Sequence, residues 1–356
     1  MSTTAGASAS LSMSTSSVVS SIVVAIVAVL IGMVFWLLLS QEAVPEGALV
    51  DQLDPEYYIA PHLLGKANAT AAETKVGLSV IIPAYNEEER LPIMMKETLD
   101  FLETTYGKPT GATSKKSYEI IVVDDGSEDS GALMVLKTYD RETVKVVKLR
   151  KNRGKGFAVR VGMLSATGER RLMVDADGAT KFSDLAKLEK QLGAGVAAEG
   201  TKKTSEGVQE NYVEGVQRRH EDQQHQIAFG SRHHLSQEAT VKRAWYRNVL
   251  MWGLHFLVRL LITANGQPIH DTQCGFKLFT ADAAEKLFRN LHIQRWAFDL
   301  ELVVLAQQFG LSIAEVPVTW HEVPGSKLSI VSATLSMLKD MFKIRMCYLT
   351  GIWRIR

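Results

Sequence analysis

LSVIIP at 78–83, EIIVV at 119–123, VKVVKL at 144–149 and RLMVD at 171–175 are short apolar runs rich in valine and isoleucine, as expected of strands covered on both faces. Between and after them lie amphipathic stretches at 88–106, 131–140, 156–166 and 184–192. Strand and helix in alternation predict an α/β layer fold around a mostly parallel sheet flanked by helices. Ligands of such sheets bind beyond the carboxyl ends of the strands, so the chemistry is expected there.

Those ends are polar. The first run leads into Pro83, Tyr85, Asn86 and Glu87, the second into Asp124, Asp125, Gly126 and Ser127, and the fourth into Asp175, Ala176, Asp177 and Gly178. In DAD the two carboxylates are two residues apart, so a bend after the strand lets both reach one hard divalent cation. Their oxygens suit Mg²⁺ or Mn²⁺, completed by substrate phosphates. The bland alternative is an Asx-turn, in which the aspartates accept backbone N–H groups. The third run leads into KNRGKGFAVRVG at 151–162, where Gly154 and Gly156 permit close backbone approach and Lys151, Arg153 and Lys155 supply cations. A helix starting there would point N–H groups at an anion.

The rest of the chain frames this region. Val18 to Leu39 is 22 residues without a charge, about 33 Å as a helix, and predicts an uncleaved transmembrane anchor behind a short lumenal N-terminus at 1–17. Residues 40–74, with Pro45, Pro55 and Pro61, read as a linker. The catalytic domain is expected over 75–331, interrupted by a polar insertion at 193–226 whose His220 and His225 read as part of a solvated loop. VLMWGLHFLVRLLI at 249–262 is too short to span a bilayer. The last 30 residues carry six basic groups and one acid among apolar residues, so both segments are expected to lie in a membrane interface, the second as a basic amphipathic stretch at 332–356. Lys+Arg 40 against Asp+Glu 39 excludes nucleic-acid binding through bulk positive charge, and two cysteines exclude a disulfide scaffold or a cysteine zinc site.

Eight blocks in order carry a resemblance. SVIIPAYNEEERLP, IIVVDDGSEDS, KNRGKGFAVRVGML and LMVDADGAT resemble the GT-A domain, a Rossmann-like fold, of the family 2 inverting glycosyltransferases. FGSRHH, DTQCGFKLF, QRWAFDLELV and EVPVTWHEVPGSKLS are similar to the branch that moves glucose from UDP-glucose to dolichyl phosphate. The resemblance implies that Pro83, Tyr85 and Glu87 line the nucleoside pocket and that Asp124 or Asp125 binds uracil. Asp175 and Asp177 would hold Mg²⁺ or Mn²⁺ on the diphosphate, with Lys155 nearby. Arg232 would offer its forked guanidinium to phosphate. Asp271 and Gln273 would sit in the sugar or acceptor pocket, and Lys327 would reach phosphate from a C-terminal loop.

Asp299 and Glu301 open an amphipathic helix and point different ways, so at most one faces the site, and Asp299 is the choice. Its expected role is the acid that deprotonates the acceptor. A phosphate acceptor, with a second pKa of about 6, is already largely anionic, which leaves Asp299 the task of orienting cations. The implied reaction inverts the anomeric centre at the cytosolic face of the endoplasmic reticulum, feeding glucose to lipid-linked oligosaccharide assembly for N-glycosylation. On that topology the sequon Asn68-Ala69-Thr70 is never used. Two rivals are a dolichyl-phosphate mannosyltransferase using GDP-mannose and a non-catalytic nucleotide-sugar binding membrane protein. A processive polysaccharide synthase fits less well, because Q-x-x-R-W would need glutamine where His292 stands.

Overall fold

The computed structural model describes residues 15–39, 48–60, 63, 76–107, 117–193, 225–235, 269–323 and 330–355. In chain order its elements are α1 (Thr15–Leu39), β1 (Leu78–Ala84), α2 (Leu91–Tyr106), β2 (Tyr118–Asp124), α3 (Gly131–Thr138), β3 (Val144–Lys148), α4 (Lys155–Ser165) and β4 (Arg170–Val174). There follow α5 (Leu185–Gly193), β5 (Ile227–Ser231), β6 (Phe276–Thr280), α6 (Ala281–Asn290), α7 (Phe298–Gln308), β7 (Ile313–Pro317) and α8 (Ile330–Leu349).

The seven strands form one sheet in the order β3-β2-β1-β4-β6-β5-β7. β1 to β4 run parallel, β6 is antiparallel to both its neighbours, and β5 and β7 are parallel. The expected mostly parallel α/β architecture is therefore present. Successive strand side chains alternate between faces. Ile81, Ile121 and Val123 pack with α4, α6, α7 and α8, whereas Val80, Ile82, Ile120 and Val122 pack with α2, α3 and α5. Burial on both faces explains why the sequence shows continuous apolar runs rather than alternation.

Because β6 runs backwards, its start at Phe276 lies opposite Val174, the last residue of β4. The Cys274–Gly275 turn thus arrives at the same edge as the ends of β1, β2, β4 and β5. One antiparallel strand in an otherwise parallel neighbourhood places a turn, instead of a strand end, beside the DAD residues.

Two segments differ from expectation. Residues 48–60, read as linker, dock on the β3 edge: Leu49 and Leu53 are buried, Leu53 bridges Leu149, and the Tyr58 amide donates to the Val146 carbonyl. Burying each leucine contributes about 1.5–3 kcal/mol, and the strand edge supplies partners for the backbone. The C-terminal segment, expected in a membrane interface, also turns inward. Met341, Ile344 and Cys347 recur every third residue along α8 and, with Trp353, join the domain core, so its apolar stripe is already covered by protein.

α1 is a 25-residue helix with no charged residue, and its described side chains, 20–33, are exposed. Counted over described residues alone, no helix is long and apolar enough to cross a membrane. The expected interfacial helix at 249–262, residues 194–224 of the insertion, residues 1–14 and Asn68 lie outside the described residues.

Candidate active site

The carboxyl edge of the sheet gathers the predicted residues in two groups. The first surrounds the end of β2. Asp124 accepts the Ser127 amide at 2.8 Å and pairs with Lys148 at 3.3 Å. Asp125 accepts the Arg153 and Gly154 amides at 2.7 and 2.8 Å, which fastens the glycine turn to the acidic strand end. Burial pushes the Asp125 carboxyl up to about 6, against the lowering effect of those two amides. Gly154 has φ +103°, and a side chain there would also meet the Gln294 carbonyl, so glycine is required twice over.

On the other side of this group Asn86, itself at φ 55°, donates its amide to Ser127 and accepts that of Glu128. Pro83 lies within buried β1, and Tyr85 stands exposed just beyond it. Glu87 grips Arg90 with both oxygens, at 2.6 and 2.5 Å. That hydrogen bond raises the Arg90 pKa against desolvation, with further help from the charges of Glu87, Asp177 and Asp175. Arg90, its guanidinium held by Glu87, thus lies within electrostatic reach of the DAD carboxylates.

The second group surrounds the end of β4. Lys155 pairs with Asp175 at 2.6 Å and lies 5.8 Å from the ring centre of the half-exposed Trp296. Desolvation lowers the Lys155 pKa, but Asp175, Asp299 and Asp177 outweigh it and raise the pKa overall. Asp177 accepts the Ala179 amide at 3.0 Å, so the Asx-turn weighed as the bland alternative is formed, through one oxygen. Asp299, in the first turn of α7, pairs at 2.8 Å with Lys277, which is completely buried. Burial raises the Asp299 pKa, while Lys277 and Lys155 oppose that rise.

Glu301 does not join this group. Its carboxylate accepts the His292 and Ile293 amides and the Tyr348 hydroxyl, the last at 2.9 Å, tying the loop before α7 to α8. His292 stacks flat on Trp353, with ring centres 4.3 Å apart. Asp299 and Glu301 therefore divide as two acids at i and i+2 on a helix must.

Arg232 and Asp271 are engaged with each other. Asp271 accepts Arg232 Nε at 2.7 Å, Nη2 at 2.9 Å and the backbone amide at 2.8 Å, while Trp320 lies under the guanidinium. This bidentate grip raises the Arg232 pKa against desolvation and lowers that of Asp271. The fork expected to be offered to phosphate is occupied by a carboxylate. Gln273 directs its amide to Met337 Sδ at 3.2 Å, and Lys327 lies outside the described residues.

The pair Asp175 and Asp177 fits a hard divalent cation by one structural criterion. The backbone of Gly275 faces Asp175, and the Asp175 carboxylate fills the place a Cβ at 275 would take, so only glycine lets that carboxylate lie where it does, two residues from the Asp177 carboxylate. Among the described residues no group of three His, Cys, Asp or Glu side chains is assembled for a metal. Lys277, Arg90 and Gly275 were not singled out from sequence. Lysine in the apolar run CGFKLF, where the strand alternation turns it inward, was the available signal.

Residues 79–203 match the glycosyl transferase family 2 profile. The human dolichyl-phosphate beta-glucosyltransferase is 46% identical over 78% of this chain and 78% of its own length. The Drosophila melanogaster protein of that name is 45% identical over 85% of each chain, and that of Saccharomyces cerevisiae 36% identical over 87% and 86%. Among solved structures, glucosyl-3-phosphoglycerate synthase from Mycobacterium tuberculosis aligns at 15% identity over 77% of this chain and 81% of that one, with a TM-score of 0.48. With identities of this size over most of its length, the chain belongs to the dolichyl-phosphate beta-glucosyltransferase family within glycosyl transferase family 2.

Proposed function

We propose that this protein transfers glucose from UDP-glucose to dolichyl phosphate with inversion, giving dolichyl β-D-glucosyl phosphate. The observation that carries the reading is the Lys155–Asp175 pair at the end of β4, with Asp177 two residues on and Arg90 within electrostatic reach, in a chain whose relatives are named dolichyl-phosphate beta-glucosyltransferases. Two carboxylates and two cations within electrostatic reach of one another suit a diphosphate whose negative charge grows as it leaves.

The nucleoside lies over Pro83, Tyr85 and the end of β2, where Asp124 or Asp125 accepts from uracil. Mg²⁺ or Mn²⁺, held by Asp175 and Asp177, would supply positive charge to the diphosphate oxygens. Lys155 and Arg90 add theirs from the protein side. The acceptor phosphate oxygen, largely anionic at neutral pH, attacks the anomeric carbon from the face opposite the diphosphate, so no residue has to remove a proton. Asp299 serves the reaction by orienting Lys155. Trp296 walls the site beside Lys155.

α1 is read as a transmembrane anchor, supported by its 25 uncharged residues and the exposure of Ile22, Val24, Val29 and Ile31 around its circumference. The catalytic domain then faces the cytosol at the endoplasmic reticulum membrane. The deciding experiment incubates purified protein with dolichyl phosphate and either UDP-glucose or GDP-mannose and identifies the lipid product. Glucosyl lipid from UDP-glucose alone is expected; mannosyl lipid, or no lipid product from either donor, overturns the reading.

A further inference from the structure

Lys277 is out of place by ordinary criteria. It lies on β6 with no solvent exposure, and a buried ammonium costs several kcal/mol unless fully paired. Methionine of similar volume would fill the same space without that cost. The lysine is held by three partners instead: its ammonium donates to the Cys274 carbonyl at 2.5 Å, pairs with Asp299 at 2.8 Å and lies 4.9 Å from the Phe229 ring centre.

These partners are two walls of the candidate site. Cys274 precedes Gly275, whose carbonyl accepts the Asp175 amide at 3.0 Å and whose bare Cα leaves room for the Asp175 carboxylate. Asp299 lies within electrostatic reach of Lys155, and Lys155 in turn pairs with Asp175 at 2.6 Å. One buried cation therefore reaches Asp175 by two routes, through the turn and through the alternating charges Asp299 and Lys155.

We propose that Lys277 is a positioning residue for glucosyl transfer: it touches no substrate, but fixes the Asp299 carboxylate and the Cys274–Gly275 turn, and through them the Lys155–Asp175 pair. This rests on the reading of the site as a glucosyltransferase centre. Displacing reacting groups by about 1 Å can cost about a hundredfold in rate, which is the scale expected when this support is removed.

The test compares wild type, K277M, D299N and K277M/D299N in glucosyl transfer from UDP-glucose to dolichyl phosphate, with kcat, the KM for UDP-glucose and melting temperature measured for each. Wild-type turnover is the control: its absence would count against the glucosyltransferase reading and not against Lys277. Given turnover, K277M is expected to lose about a hundredfold in kcat with KM changed less than about twofold. Because Lys277 also holds the Cys274–Gly275 turn, the double variant is expected to fall below D299N alone but by less than the product of the two single losses, since coupled residues are not additive. The double variant also leaves no buried charge unpaired, so it can be purified and assayed if K277M does not fold. K277M with wild-type kcat per folded molecule, or a double variant whose loss is the product of the two single losses, would overturn the proposal.

Discussion

The carbonyl of Gly275 accepts the amide of Asp175, and a methyl group on the same glycine would overlap the Asp175 carboxylate. Backbone and side chain of one aspartate are therefore both set by a residue about a hundred positions away in sequence. G275A is expected to destabilise the fold by about 1–3 kcal/mol, the usual cost of an extra carbon in a packed place. Turnover should fall further, by about a hundredfold, because the carboxylate itself is displaced. Urea unfolding and glucosyl transfer measured on the same preparation separate the two effects.

Asp177 both closes an Asx-turn and is read as a metal ligand, and the two roles part on substitution. D177N retains an oxygen that can accept the Ala179 amide but loses the charge. The expected outcome is a melting temperature near wild type with turnover reduced at least about a hundredfold. D177A should lose both. Chelation of divalent cations should abolish wild-type transfer, with recovery on adding Mg²⁺ or Mn²⁺; full activity under chelation would remove the metal from the reading.

The Asp125 carboxyl titrates at about 6 in the folded protein against 3.8 for the ordinary side chain. The folded state holds this proton more tightly, so the stabilisation is fully present below pH 3.8 and is lost as pH rises through about 6. The full difference is on the order of 3 kcal/mol. Wild type is expected to lose stability relative to D125N between pH 4 and pH 7, as followed by urea unfolding at several pH values. A constant difference across that window would contradict the burial argument.

Glu301 joins the loop before α7 to the C-terminal helix by charge-assisted hydrogen bonds, each worth about 1.5–3 kcal/mol. Glutamine keeps only one acceptor oxygen. E301Q is expected to melt roughly 5–10 °C lower, with α8 more readily cleaved by protease. The donor affinity of the protein that remains folded should be unchanged, since Glu301 stands outside the site.

The proposed topology makes a separate prediction about chemistry outside the fold. With the domain in the cytosol, Asn68 never meets the glycosylation machinery, so glycosidase treatment of protein from cells should leave its mass unchanged. A shift would reverse the orientation.

How much of this was legible depended on the range of the interactions. The first four strands were readable within about a residue, 78–83 against Leu78–Ala84 and 119–123 against Tyr118–Asp124, because burial on both faces writes itself as an apolar run. The separation of Asp299 from Glu301 followed from helix geometry alone. What stayed hidden was pairing between distant segments. Nothing near Arg232 announces that Asp271 will take its guanidinium, and nothing near Lys277 announces Asp299. Both pairs are created by the placement of β5, β6 and α7 along one edge. The inward face of α8 was concealed for a related reason: a basic amphipathic helix has the same composition whether its apolar stripe meets lipid or a protein core.

The docked segment at 48–60 has a consequence for reach. A free linker from 40 to 74 would pay out more than about 100 Å of chain, whereas the stretch from α1 to the docked segment, residues 40–47, extends to at most about 28 Å. With α1 in the bilayer as proposed, the leash is only about half a domain diameter long. The enzyme is then confined to a thin layer of cytosol against the leaflet that presents its acceptor, and encounters become a two-dimensional search governed by the surface density of lipid phosphate.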